Sequence, residues 1–216
     1  MDESRRSFIR RSAIAGGAAW AAPAVVSLSS AGAQVGTPRP CPCTADAFGL
    51  RVVIPPLGID ETFGVGGCVA DTGVVGVPGT ATVSAQVVCG DATTGDVCTG
   101  AASIADLGVV VGPELLPTLT VDATIIESSA SAACDPCSTT GSSSIASLTV
   151  NGIAVDVTGA CNLDVLDLGL VFVNEQTCTG DTLEVNAIHI LVPDIVEVVV
   201  AHSEAGGAGC CTACAA

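Results

Sequence analysis

The 216-residue sequence contains no lysine and no tyrosine, a single tryptophan and only four phenylalanines. Each shortage removes a class of function. Binding nucleic acid or anionic lipid requires phosphate neutralisation by Lys or Arg. Six arginines against 22 acidic residues argue against both partners. Aromatic residues are 2% of the chain, which argues against base or sugar stacking and removes the usual interface anchors. The core must be built from Val, Ile, Leu and Ala. No apolar run is long and unbroken enough to span a membrane.

The N-terminus reads as an export signal. Ser4-Arg5-Arg6-Ser7-Phe8-Ile9-Arg10 gives a twin-arginine pattern centred on Arg5 and Arg6. An Ala/Gly-rich apolar stretch follows, and Ala31-Gly32-Ala33 supplies a small-x-small cleavage site between Ala33 and Gln34. Cleavage there leaves 183 residues with all twelve cysteines, Arg39 and Arg51 as the only basic residues, and a formal charge near −18. Residues 1–33 are read as the signal peptide, 34–207 as one all-β domain, and 208–216 as a Cys-rich tail. The expected location is secreted or extracellular, free or retained at the cell wall, after twin-arginine export.

Strand signals dominate the mature part. Val, Ile and Thr runs alternate with Gly, Asp, Ser and Pro clusters, and no segment keeps an apolar 3.6 period for three turns. One unit recurs at residues 80–88, 118–126, 147–155 and 182–190: a hydroxyl residue first, Val fourth, then a small or polar pair. The spacing predicts an antiparallel two-sheet sandwich or flattened barrel, stapled by disulfides, with a β-solenoid as the alternative. The Ser/Ala-rich run ending at Ala133 suits either close packing against a second sheet or a solvated edge. Near the C-terminus, Pro193-Asp194-Ile195 marks a hairpin. Pairing Val192 with Ile195 would set His189 against Val198 and put both histidines on one face, about 13 Å apart and unable to share a metal ion.

Twelve cysteines in an exported chain predict a disulfide framework. Cys89 with Cys98, and Cys161 with Cys178, flank turn-rich segments and are the expected local pairs. Cys41 and Cys43 lie near one end, and Cys210, Cys211 and Cys214 near the other. The expectation is a bond joining the two ends, with Cys68 as the nearest internal partner for a terminal cysteine. Cys134 and Cys137 form a CxxC motif, but no helix follows to lower a thiol pKa, so a structural role is expected. Asp91, Asp96, Asp164 and Asp167 are calcium candidates by chemistry, yet no calcium-loop pattern surrounds them. No nucleophile elbow occurs beside either histidine.

The segments Ala47-Phe48-Gly49-Leu50, Asn174-Glu175-Gln176, Val185-Asn186-Ala187-Ile188-His189 and Ala201-His202 resemble, in that order, the choice-of-anchor P family of bacterial secreted or surface proteins. The resemblance runs from about residue 45 to 207. It implies a secreted or surface protein and carries no activity, substrate or cofactor. The chain departs from the family at its C-terminus, where Cys210-Cys211-Thr212-Ala213-Cys214 stands without an apolar anchor.

These observations point to a non-enzymatic secreted or cell-envelope protein with a structural or interaction role. It would have no cofactor, metal or catalytic residue. Its partners would be the twin-arginine translocase during export and then a protein or envelope component. The alternative is an exported metal-binding or redox protein using the CxC, CxxC and CCxxC cysteines.

Overall fold

The computed structural model describes residues 43–112, 118–134, 136–165, 170–207 and 209–214. Arg5, Arg6, Ala33, Gln34, Cys41 and Asp167 lie outside the described residues. Twelve strands follow one another: β1 (Thr44–Ile54), β2 (Ile59–Phe63), β3 (Gly67–Val77), β4 (Ala81–Thr93), β5 (Val97–Val111), β6 (Leu119–Cys134), β7 (Cys137–Val150), β8 (Ile153–Ala154), β9 (Leu163–Val165), β10 (Val171–Thr179), β11 (Thr182–Val192) and β12 (Val196–Gly206). One 3₁₀ turn, Pro55–Leu57, joins β1 to β2.

The strands form two six-stranded sheets, ordered β2-β1-β12-β11-β10-β9 and β3-β4-β5-β6-β7-β8. Every pairing is antiparallel. The second sheet is a plain meander. The first closes the fold, because β1 pairs with β12 and brings Thr44 opposite Gly206. The sheets stack face to face, β1 against β4 and β5, β12 against β5 and β6, β11 against β6 and β7. This is the two-sheet sandwich. A β-solenoid, whose successive coils pair in parallel, is excluded.

Two local readings differ. The unit at 147–155 is no strand but a hairpin: Asn151 and Gly152 both have positive φ, 53° and 73°, which a two-residue hairpin turn demands. At the other hairpin Val192 pairs with Val196, so His189 faces Val199 rather than Val198. Pro193–Ile195 forms a three-residue loop, with Asp194 left-handed at φ 62°.

Both sheets are creased across their strands. Val87 in β4 and Ile125 in β6 have φ of 50° and 47°; Asn174 in β10 and Ala201 in β12 have φ of 48° and 47°. Strand pairing continues on both sides of each of these residues. The inward face changes phase there: Val83, Ala85 and then Val88 point inward in β4, and Val121, Ala123 and then Ile126 in β6. On one side of the crease the core is thick, made of Leu50, Val52, Ile54, Val109, Val121, Ile190 and Val198. On the other side the facing residues are mostly Gly, Ala and Ser, among them Gly90, Gly100, Ala102, Ser128, Ala130 and Ser203. A Cβ on Gly100 would collide with the backbone of Asp46 and Glu204 in the opposite sheet, and one on Gly141 would lie 2.6 Å from Val185 Cγ2. The Ser/Ala run therefore serves close sheet packing.

Small side chains bury little apolar area per residue, and hydrophobic stabilisation scales with that area. The cystines gather at this thin half. Cys43–Cys98 ties β1's entrance to β5, and Cys68–Cys89 joins β3 to β4. Cys137–Cys210, Cys161–Cys214 and Cys178–Cys211 fasten the C-terminal segment. Cys134 is also disulfide-bonded.

This connectivity corrects three expected pairings. Cys89 and Cys98 do not bond to each other. Cys89 sits opposite Ser103 and directly across from Cys68, while Cys98 points into the core. Cys161 and Cys178 take Cys214 and Cys211 instead of each other. No bond staples the chain ends, because Cys210, Cys211 and Cys214 all bind internal cysteines and Cys43 binds Cys98. Strand pairing between β1 and β12 joins the ends instead. Cys210 and Cys211 do take different partners.

Candidate functional site

The first sheet turns a polar face away from the second. Alternation sets it: Ala47, Val185 and Ser203 point inward, so their neighbours Phe48, Asn186 and His202 point outward. Register places Glu175, Asn186, His202 and Phe48 in one row across β10, β11, β12 and β1. The next row toward the thin end is Thr177, Glu184, Glu204 and Asp46. On the other side of the crease, Phe172, His189, Val199 and Arg51 line up. The four segments that carry the family resemblance are thus neighbours in space, meeting at the crease.

Both histidines of the chain belong to this face. His189 Nδ1 lies 2.9 Å from Glu175 Oε2, and its Nε2 lies 3.2 Å from Glu197 Oε1. With a carboxylate at each nitrogen, both ring nitrogens donate only in the imidazolium form. The Glu175 hydrogen bond raises the His189 pKa above its ordinary value, against the opposing effect of burial. The same bond holds the Glu175 carboxyl below the usual carboxylate range.

His202 is the opposite case. It is 7% exposed and stacks on Phe48, with ring centroids 4.3 Å apart. Asn186 Nδ2 donates to Glu175 Oε2 at 2.9 Å and to Glu184 Oε1 at 3.2 Å. That orients Asn186 Oδ1 to accept from His202 Nδ1 at 2.7 Å. His202 Nε2 faces Glu204 at 4.0 Å. Burial lowers the His202 pKa, outweighing the carboxylates of Glu184 and Asp46. Burial, then Glu184 and Asp46, push the Glu204 carboxyl upward.

Asp46, Glu204 and Glu184 stand directly opposite one another on adjacent strands. Like charges so placed are destabilising, by about 0.2–1 kcal/mol per pair. The one arginine among the described residues, Arg51, is committed to Asp60 at 3.0 Å. The sequence reading found no convergent polar cluster. The structure supplies one, and its signal in the sequence was only the strand alternation Glu184-x-Asn186 and His202-x-Glu204.

The other candidates are dispersed. Asp91 and Asp96 belong to the β4–β5 hairpin of the second sheet, and Asp164 lies in β9 of the first. Among the described residues no group of three or more His, Cys, Asp or Glu side chains is arranged to hold a metal ion. The described cysteines are all oxidised, so they offer no thiolate ligands. Cys134 and Cys137 do not close a CxxC disulfide, since Cys137 binds Cys210.

Fold and cystines together define a disulfide-bonded antiparallel β-sandwich of an oxidising, extracellular environment. No helix of the described residues is long and apolar enough to cross a membrane. No protein-family model, curated protein or solved structure matches the chain.

Proposed function

We propose that this is a non-enzymatic secreted or cell-envelope protein, of the choice-of-anchor kind, that binds a cationic partner through the outer face of its β1-containing sheet. The observation that carries the reading is the carboxylate row Asp46–Glu204–Glu184, held in register with only His202 beside it, a histidine whose pKa burial lowers. Repulsion retained on a rigid sheet is relieved when a partner brings ammonium or guanidinium groups. His189 and Asn186 fix the flanking carboxylates Glu175 and Glu197 in place, so the face is pre-organised. Arg5 and Arg6 direct twin-arginine export on this reading, and cleavage between Ala33 and Gln34 releases the mature form. The metal or redox alternative loses its thiolates to the disulfides.

Calorimetric titration of the mature protein with a deca-arginine peptide tests the reading. Binding is expected at low ionic strength, weakened by salt and lost in the Glu184→Gln/Glu204→Gln variant. No binding at low ionic strength would overturn it.

A further inference from the structure

We infer, building on the cation-binding face proposed above, that the cation it takes is a primary ammonium group, held between His202 Nε2 and the carboxylates of Glu204 and Asp46. The histidine lone pair is the selective element.

The hydrogen bonds around Asn186 fix which imidazole nitrogen carries the proton. Asn186 Nδ2 donates to two carboxylate oxygens, Glu175 Oε2 and Glu184 Oε1, which turns its Oδ1 toward His202. An amide oxygen only accepts. His202 Nδ1, 2.7 Å away, is therefore the donor. In the neutral ring Nε2 is then a bare lone pair. The Phe48 stack holds the ring plane.

That lone pair points into the carboxylate row. Nε2 faces Glu204 Oε2 at 4.0 Å, too far for a hydrogen bond. Among the described residues no group donates to Nε2. The His202 side chain is only 9% exposed, while Glu204 beside it is 39% exposed and leaves a way in. Across the strand pairing from Glu204 stands Asp46, whose Oδ1 accepts from Ala47 N–H at 2.8 Å. Three acceptors thus meet without a donor. Around the ring, Glu184 and Asp46 favour protonation, while burial and Arg51 oppose it, and burial is the largest effect. The acceptor is therefore present at neutral pH.

The missing group must offer several N–H donors from one positive centre. A primary ammonium carries three on a compact charge. A single nitrogen about 2.9 Å from each acceptor bridges the 4.0 Å gap between Nε2 and Glu204 Oε2. A guanidinium is a rigid planar fork matched to the two oxygens of one carboxylate. A quaternary ammonium has the charge and no donor. The sequence contains no lysine, so no side chain of this chain supplies the group.

Calorimetric titration of the mature protein at neutral pH compares deca-lysine with the same peptide trimethylated on every side chain, which keeps each charge and loses its N–H groups. Deca-lysine is expected to bind at least about tenfold tighter, the effect of one charge-assisted hydrogen bond. His202→Asn keeps a donor for Asn186 and removes Nε2, so the two peptides should bind it alike. Circular dichroism checks that the variant folds. Independently of any variant, ¹⁵N NMR of the wild-type imidazole should show an unprotonated Nε2 whose signal moves on adding deca-lysine. Spermine, run beside deca-lysine, distinguishes a free polyamine from a peptide lysine as the source, the tighter binder naming it. Equal binding of the two peptides by the wild type overturns the inference. So does discrimination that survives His202→Asn, or an imidazole protonated at Nε2. If deca-arginine binds under any of these outcomes, the cation-binding face stands without ammonium selectivity. If neither deca-arginine nor deca-lysine binds at low ionic strength, both fall.

Discussion

Phe48 lies over the imidazole of His202, ring to ring at 4.3 Å and 13° from parallel, across the pairing of the first strand with the last. The stack and the Asn186 hydrogen bond keep this histidine out of water. Thirteen residues earlier, His189 is gripped by two carboxylates instead. The two imidazoles are therefore expected to titrate on opposite sides of the ordinary histidine value of about 6.5. A proton NMR titration reads this directly. Two coincident midpoints would refute the assignment.

Stability follows with opposite signs. The raised His189 pKa contributes stability that is present below the unfolded value and lost as pH rises through the folded one. The lowered Glu175 pKa contributes stability present above the unfolded carboxyl value and lost as pH falls through the folded one. Their pair thus acts most strongly between the two unfolded values, about pH 4.5 to 6.5. His202, with a lowered pKa, resists protonation, and its contribution falls as pH drops below about 6.5. His189→Gln should therefore cost more stability at pH 5.5 than at pH 8 (about one unit below and about one and a half above the unfolded value), measured by urea unfolding. An equal loss at both would count against the ion pair.

The carboxylate row predicts a gain of stability from removing a charge. Glu204→Gln should stabilise the protein at neutral pH by about 0.5 kcal/mol, by relieving repulsion from Glu184 and Asp46. The gain should shrink in acid, as the wild-type carboxyl protonates. Destabilisation at neutral pH would mean that Glu204 makes a favourable contact stronger than this repulsion.

The thin half predicts which glycines are irreplaceable. Gly100→Ala drives a methyl into the Asp46 and Glu204 backbone and should cost about 2–3 kcal/mol. Gly95→Ala, whose Cβ would meet only Val97 O at 3.8 Å, should stay within about 0.5 kcal/mol. Similar losses from both would show that the sheets are further apart at Gly100.

The C-terminal segment is a clamp on the open side of the sandwich. Its cysteines bind Cys137, Cys161 and Cys178, Thr212 N–H donates to Thr139 Oγ1, and Cys211 and Ala213 pack on Leu183 and Val185. Deleting residues 209–216, with Cys137, Cys161 and Cys178 changed to Ser, removes three disulfides worth about 2–4 kcal/mol each in the chain-entropy account. The melting temperature should fall by about 10 °C or more while the β-sheet circular dichroism persists. A fall of less than about 3 °C would mean that the thick core alone sets stability.

The sequence by itself determined the strands, the acidity and the oxidised cysteines. Each rests on composition or on the period-two pattern, which is local: Val121 and Ala123 alternate in β6 whatever lies beside them. Asn151-Gly152 was equally legible as a turn, and reading it as strand interior was an error of pattern over turn chemistry. Only the tertiary structure decided which cysteines pair, that the Ser/Ala run packs between sheets, and which five carboxylates join the two histidines on their face. Those outcomes depend on strand register and on the path of residues 209–214, both set by contacts far apart in sequence. The crease sharpens the point. One left-handed residue in a strand, such as Ala201, reverses the inward phase of everything after it. The alternation that makes strands legible therefore could not say which side of His202 meets water.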